Sequence, residues 1–214
     1  MDKAVIERNF STNLNNNYSK ISKYLEPRFE VFCEFDDVIY EINNCLIMQL
    51  NKASITLTNY LLERLLKLAL IYNEAGIGPV QDLNDLDAVF REPNRKYGSI
   101  MLNESIKKCK EFELITDNEE LILDKKVRDL LRNGFAHADS KKILKNIPDE
   151  SKMYQGSLSN PNGELKEITL NTKINPTFQA IHMRDYATSN ALPYYDFVFN
   201  LIGLIEKRLK EKSN

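Results

Sequence analysis

Tryptophan is absent from this 214-residue chain, and histidine occurs only twice, at His137 and His182. Two distant histidines and three scattered cysteines (Cys33, Cys45 and Cys109, with no CxxC pair) leave no zinc-ligand spacing and no disulfide framework. The cysteines are expected to be free thiols of a reducing cytoplasm, packed as small core residues. No apolar stretch approaches the roughly 18 residues that a membrane span requires. The best run, YLLERLLKLALIY, is interrupted by Glu63, Arg64 and Lys67. The opening MDKAVIERNFSTN is too polar for a secretory signal. Neither sign of charge dominates: 29 basic against 31 acidic residues give a net charge of -2. A polyanion must therefore be met by a local patch, not a global field. A Gly-rich phosphate loop, a nucleophile elbow and a metal motif are also missing. The expectation is a cytoplasmic protein with no membrane contact, no metal and no cofactor.

What is present is an ordinary globular composition, 43% hydrophobic and 28% charged, enough for one domain with a substantial core. The first thirty residues are mixed, and their Asn-rich patch NLNNNYS reads as a loop or a frayed helix end. From Phe35 the apolar residues Val38, Ile39, Ile42, Leu46 and Leu50 follow helical spacing. Residues 55–72 are apolar almost all round and predict a central helix, stopped by the glycines and proline of EAGIGP. Residues 76–98 read as a long connection with room for one short helix. A buried stripe of Ile100, Met101, Ile106, Cys109 and Phe112 follows. The next helix has two possible capping-box starts, Thr116 with Glu119 or Asp117 with Glu120. Its core face is Leu123, Val127, Leu130 and Leu131, and Gly134 is placed to end it.

After Ile147 the pattern changes. Asn-Pro-Asn-Gly between two partly alternating arms signals a β-hairpin, within an insertion spanning residues 147–190. Pro193 suits a first helical turn, and Tyr194, Phe197, Val198, Leu201, Leu204, Ile205 and Leu209 form the stripe of a last helix. The fold class expected is all-α, a single-domain helical bundle over residues 1–214 with a small β-hairpin insertion.

The least ordinary segment is DLLRNGFAHADS, residues 129–140. Histidine transfers protons near neutral pH, and arginine is a permanent cation whose planar fork fits a phosphate. Together they suffice to cleave RNA without a metal. The imidazole takes the 2′-OH proton, the 2′-oxygen attacks phosphorus, and the guanidinium stabilises the charge of the transition state. On an unbroken α-helix, however, five steps of about 100° set Arg132 and His137 roughly 140° apart. A chain break at Gly134, or a second copy across a twofold axis, would bring them together. Residues 121–146 carry seven cations (Lys125, Lys126, Arg128, Arg132, Lys141, Lys142, Lys145) against three acids, a local excess of +4. Arg128, Lys141 and Lys142 are candidate RNA-backbone contacts.

LRNGFAHA resembles the signature of the HEPN superfamily: an arginine, four to six residues, a histidine, often with a polar residue after the arginine. Here the spacing is Arg132, four residues, His137, with Asn133 in the polar slot. The preceding segments ILDKKVRDLL, SIKKCKEFELI and YLLERLLKLAL fit the helical context of that family, over residues 55–145. The resemblance implies an all-α bundle, usually dimeric, with two motifs facing each other in a cleft. It implies a metal-independent endoribonuclease of the toxin–antitoxin, abortive-infection or antiviral defence type. Arg132 and His137 then match the catalytic positions and Asn133 the supporting one, RNA is the substrate, and an antitoxin or other defence protein is the partner. The alternative is a non-catalytic HEPN-type module that binds RNA, nucleotide or protein.

Glu63 has two readings: support for His137 or Arg132, or an exposed i, i+4 pair with Lys67. Tyr186, Tyr194 and Tyr195 have base-stacking chemistry, but their helical spacing favours a core or interface role. The pairs Asp36–Asp37 and Glu119–Glu120 read as helix-start charges. His182, in FQAIHMRDY, has no motif around it and reads as structural or surface.

Overall fold

A computed structural model describes residues 2–26, 29–78, 85–132, 148–157 and 159–213, with the backbone alone for 129–132. In chain order the elements are α1 (Lys3–Ile21), α2 (Asp36–Ile47), α3 (Asn51–Ala75), α4 (Leu86–Tyr97), α5 (Leu102–Glu111) and α6 (Asp117–Ile122). The helix of α6 continues as a π-helical segment, Leu123–Arg132. The strands β1 (Glu150–Gln155) and β2 (Lys166–Asn171) come next, and α7 (Pro176–Ser213) ends the chain. Among the described residues the protein is a helical assembly with one two-stranded sheet, as the sequence patterns predict. No helix among them is long and apolar enough to cross a membrane.

The centre is α3, on which Ile55, Leu61, Leu62, Leu65, Leu66, Ala69 and Leu70 are all buried. A helix apolar on so many sides must be covered on several of them. It packs on α2, α4, α5, the π segment and, most extensively, α7. The stripe predicted on α7 is buried at Tyr194, Val198, Leu201, Ile205 and Leu209. Gly76 ends α3 at φ 86, a conformation that only glycine adopts without strain.

Several expectations are corrected. The Asn-rich patch is helical: α1 is capped by Asp2, whose carboxylate accepts the Ala4 N–H at 3.2 Å. Its last turns dock through Ile21 and through the buried Asn17 amide, which donates to the Ile47 carbonyl at 2.9 Å. Pro193 lies deep inside α7, which begins at Pro176 within the expected insertion. It is tolerated because the ring is exposed and the lost N–H costs one bond, to the Ser189 carbonyl, in a helix held by packing on both sides of it. Met101 is 74% exposed because it is the extended N-cap of α5, outside the helical stripe. Leu50 also lies outside its helix and is exposed. All three thiols are free; Cys109 is a core residue, but Cys33 is exposed.

The hairpin pairs antiparallel from Glu150 opposite Asn171 to Gln155 opposite Lys166. Met153, Ile168 and Leu170 share one face, while Lys152 and Glu167 form a 2.8 Å ion pair on the other. Thr172 closes its base by donating to the Pro148 carbonyl at 2.6 Å.

Of the two possible starts of α6, the fold uses Thr116 with Glu119, and both capping-box bonds form. The choice is set from far along the chain. Arg208 of α7 donates to both carboxylate oxygens of Glu119, at 2.8 and 3.1 Å, and to the Leu114 carbonyl at 2.8 Å. Burial alone would raise the Glu119 carboxyl, but Arg208 and the Thr116 N–H hold it below the usual carboxylate range. A depressed folded value stabilises the protein above the unfolded pKa of about 4.3, and that contribution is lost as pH falls through the folded value. Arg208→Ala should lower the melting temperature at pH 7 by about 4–12 °C, from a loss of roughly 2–3 kcal/mol. The difference from wild type should shrink at pH 3, as read by circular dichroism. An equal deficit at both pH values would assign Arg208 a packing role instead.

Candidate active site

The motif helix is anchored at its start. Thr116, Glu119 and Arg208 fix the first turn of α6, and Leu123 and Val127 bury the following turns beside α3 and α5. From Leu123 the backbone bonds i→i+5, a pattern that is rare in general and frequent at functional sites. The wider turn advances each residue by less than the α-helical 100°, so the phase carried to Arg132 differs from that of a straight α-helix. Arg132 is the last residue of this segment. Asn133, His137, Lys141 and Lys142 lie outside the described residues, as do the side chains of Leu130, Leu131 and Arg132. Of the candidate RNA-backbone cations, Arg128 is half-buried and lies 3.4 Å from Asp124, one helical step back. Lys125 and Lys126 are exposed.

Facing Tyr194 of α7, α3 contributes polar groups to an otherwise apolar stretch. Asn59 is buried, and its side-chain oxygen accepts the Tyr194 hydroxyl at 2.8 Å. Glu63, one turn on, is half-buried and close enough to act on the same hydroxyl. Burial pushes the Tyr194 phenol far above its usual range, and the charge of Glu63 adds to the effect. Tyr194 is therefore a fixed donor that stays protonated, and it has no role as a base. Glu63 and Asn59 sit at i, i+4 on one stripe, and two polar residues so spaced in a leucine-rich helix were a legible signal of this polar site.

A groove of about 410 Å³ separates the motif helix from α7. Ile122, Lys126 and Val127 line one side, and Asn190, Pro193 and Phe197 the other. Tyr186 and Tyr194 complete its described lining. The tyrosines thus divide: Tyr194 and Tyr195 are core residues, 4% and 0% exposed, while Tyr186 is half-buried in the groove wall. Asp36 and Asp37 lie in the first turn of α2 and Glu119 in that of α6, as helix-start charges do. His182 is half-buried on α7, and among the described residues nothing hydrogen-bonds its Nε2. No cluster of three or more metal-ligating side chains occurs among the described residues.

The chain matches no protein-family model, no curated protein and no solved structure.

The Asn59–Tyr194 bond is testable by itself. Tyr194→Phe removes the hydroxyl that donates to the buried Asn59 amide oxygen and should cost about 1–2 kcal/mol in urea unfolding. A midpoint unchanged from wild type would mean that the bond contributes nothing net.

Proposed function

We propose that the protein is a metal-independent endoribonuclease of HEPN type, acting as a homodimer in a toxin or phage-defence setting. The observation that carries the reading is the sequence Arg132-x4-His137, whose arginine lies on a helix packed on the apolar α3. His137 is the general base and acid, Arg132 the phosphate clamp and Asn133 a positioning group. The 2′-hydroxyl loses its proton to the imidazole, and the 2′-oxygen bonds to phosphorus. The bond to the 5′-oxygen breaks, and that oxygen leaves with a proton returned by imidazolium. The products carry a 2′,3′-cyclic phosphate and a 5′-hydroxyl. Arg128, Lys141 and Lys142 hold the strand through its phosphates, and Glu63 supports the site from α3.

The reaction needs no metal in this reading, so RNA cleavage should persist in excess EDTA. His137→Ala and Arg132→Ala should each lower the rate by about 10²-fold or more, the scale of one general base or one charge-stabilising donor. Folded alanine variants that cut as fast as wild type would remove the assignment. RNA binding without turnover by the wild type would favour the non-catalytic module.

A further inference from the structure

A second cleft, of about 280 Å³, lies between the turn that follows α1 and the helix α2. Its described lining is Leu25, Glu26, Asp36, Ile39, Tyr40 and Asn43. The last four recur at i, i+3, i+4 and i+7, the spacing of one helix face.

Asn43 is the buried member of that lining, 2% exposed. Its Nδ2 donates to the Tyr24 carbonyl at 2.9 Å, and only an N–H can serve a carbonyl. That bond orients the amide and leaves Oδ1 buried with no hydrogen-bond partner among the described residues. A buried acceptor without a donor costs about 1–3 kcal/mol, so this oxygen calls for an N–H or O–H from outside the chain.

The two carboxylates of the lining are unmatched as well. No described residue hydrogen-bonds or ion-pairs with the carboxylate of Glu26 or of Asp36. The described lining holds no cation. Residues 25–51 carry six acids (Glu26, Glu30, Glu34, Asp36, Asp37 and Glu41) against the single Arg28, an excess of -5 in a chain of net charge -2. Such a field concentrates cations. Leu25, Ile39 and the ring of Tyr40 offer nothing to a hard metal ion, which seeks oxygen on every side. They suit the methylenes of an organic cation, and the Tyr40 ring, 67% exposed, adds a face for its charge.

We propose that this cleft binds an aliphatic diamine or polyamine, a short alkyl chain carrying several ammonium groups. An ammonium N–H donates to Asn43 Oδ1, Glu26 and Asp36 balance the charges, and the methylenes cover Leu25 and Ile39. The cleft shares no residue with the Arg132–His137 motif, so the proposal stands apart from the ribonuclease reading.

The test is calorimetric titration of the full chain with 1,4-diaminobutane and with spermidine, beside Mg²⁺, Ca²⁺ and the uncharged 1,4-butanediol. Each variant is first checked by circular dichroism for an unchanged fold. At least one of the amines should saturate one site per chain, and the metal ions and the diol should not. Glu26→Gln and Asp36→Asn should each weaken amine binding about twofold to fivefold, as should Tyr40→Ala. Asn43→Ala should weaken it about tenfold. The paired control Asp37→Asn with Glu41→Gln removes the same charge outside the cleft and should leave the affinity within about twofold of wild type. In wild type, nuclear magnetic resonance should show the Asn43 side-chain amide signals shifting as the amine saturates its site, a readout independent of any variant. No saturable binding of either amine, Mg²⁺ or Ca²⁺ binding as well as the amines, an equal loss in the control pair, or unmoved Asn43 signals would each overturn the proposal.

Discussion

Burial of α3 against α7 is the interaction on which the rest of the molecule depends. α3 and the second half of α7 are too apolar to stand in water, and among the described residues they share the most extensive contact between two elements. Removing one buried leucine from such a seam costs about 2–5 kcal/mol, a large share of an ordinary domain's stability. Apolar packing is non-directional, however, and does not by itself choose one alignment of two helices. Polar contacts along α7 fix it. Tyr194 meets Asn59 midway, Arg208 grips Glu119 farther on, and the carboxylate of Glu206 accepts the Glu30 and Val31 N–H groups at 3.3 and 3.0 Å. Asp196 adds a fourth tie, accepting Lys23 at 2.6 Å and the Tyr24 hydroxyl at 2.5 Å. Residues from four parts of the chain are thereby indexed to one helix.

The candidate site inherits this indexing. Arg208 belongs to α7 and fixes the start of the motif helix, while Asn59 and Glu63 belong to α3 and face Tyr194 of α7. The arginine of the motif thus follows a helix pinned at one end and packed along its middle. Such rigidity suits a phosphate clamp, whose value depends on being in place before charge develops. The groove lies between the same two elements, with Ile122, Lys126 and Val127 of the motif helix on one side and Asn190, Pro193 and Phe197 of α7 on the other.

How much of this was legible in the sequence depends on where each element's stability comes from. α2, α3 and the second half of α7 are held by their own apolar stripes, so periodicity finds them. α1 is different: its asparagines are poor helix formers, and its docking depends on Asn17 reaching the Ile47 carbonyl. The first half of α7 is polar and precedes a proline, two local signals that tertiary packing overrides. The two capping registers of α6 were equivalent by spacing, and only Arg208, almost ninety residues on, separates them. The arginine–histidine motif was plain in the sequence because its information is in residue type and spacing. The groove was not, since its two walls come from distant segments and no local pattern joins them. The π-helical turns before Arg132 were also hidden, because Leu123 and Val127 fit an α-helical stripe equally well.

The proposed chemistry is attack by the RNA's own 2′-oxygen at a phosphate held by Arg132, with His137 moving the proton. The most direct measurement is the identity of the ends left on cleaved RNA, by mass spectrometry of fragments made in the presence of EDTA. The account predicts 2′,3′-cyclic phosphate on one fragment and 5′-hydroxyl on the other. Fragments bearing 3′-hydroxyl and 5′-phosphate would show that water, not the ribose, was the nucleophile, and would contradict it.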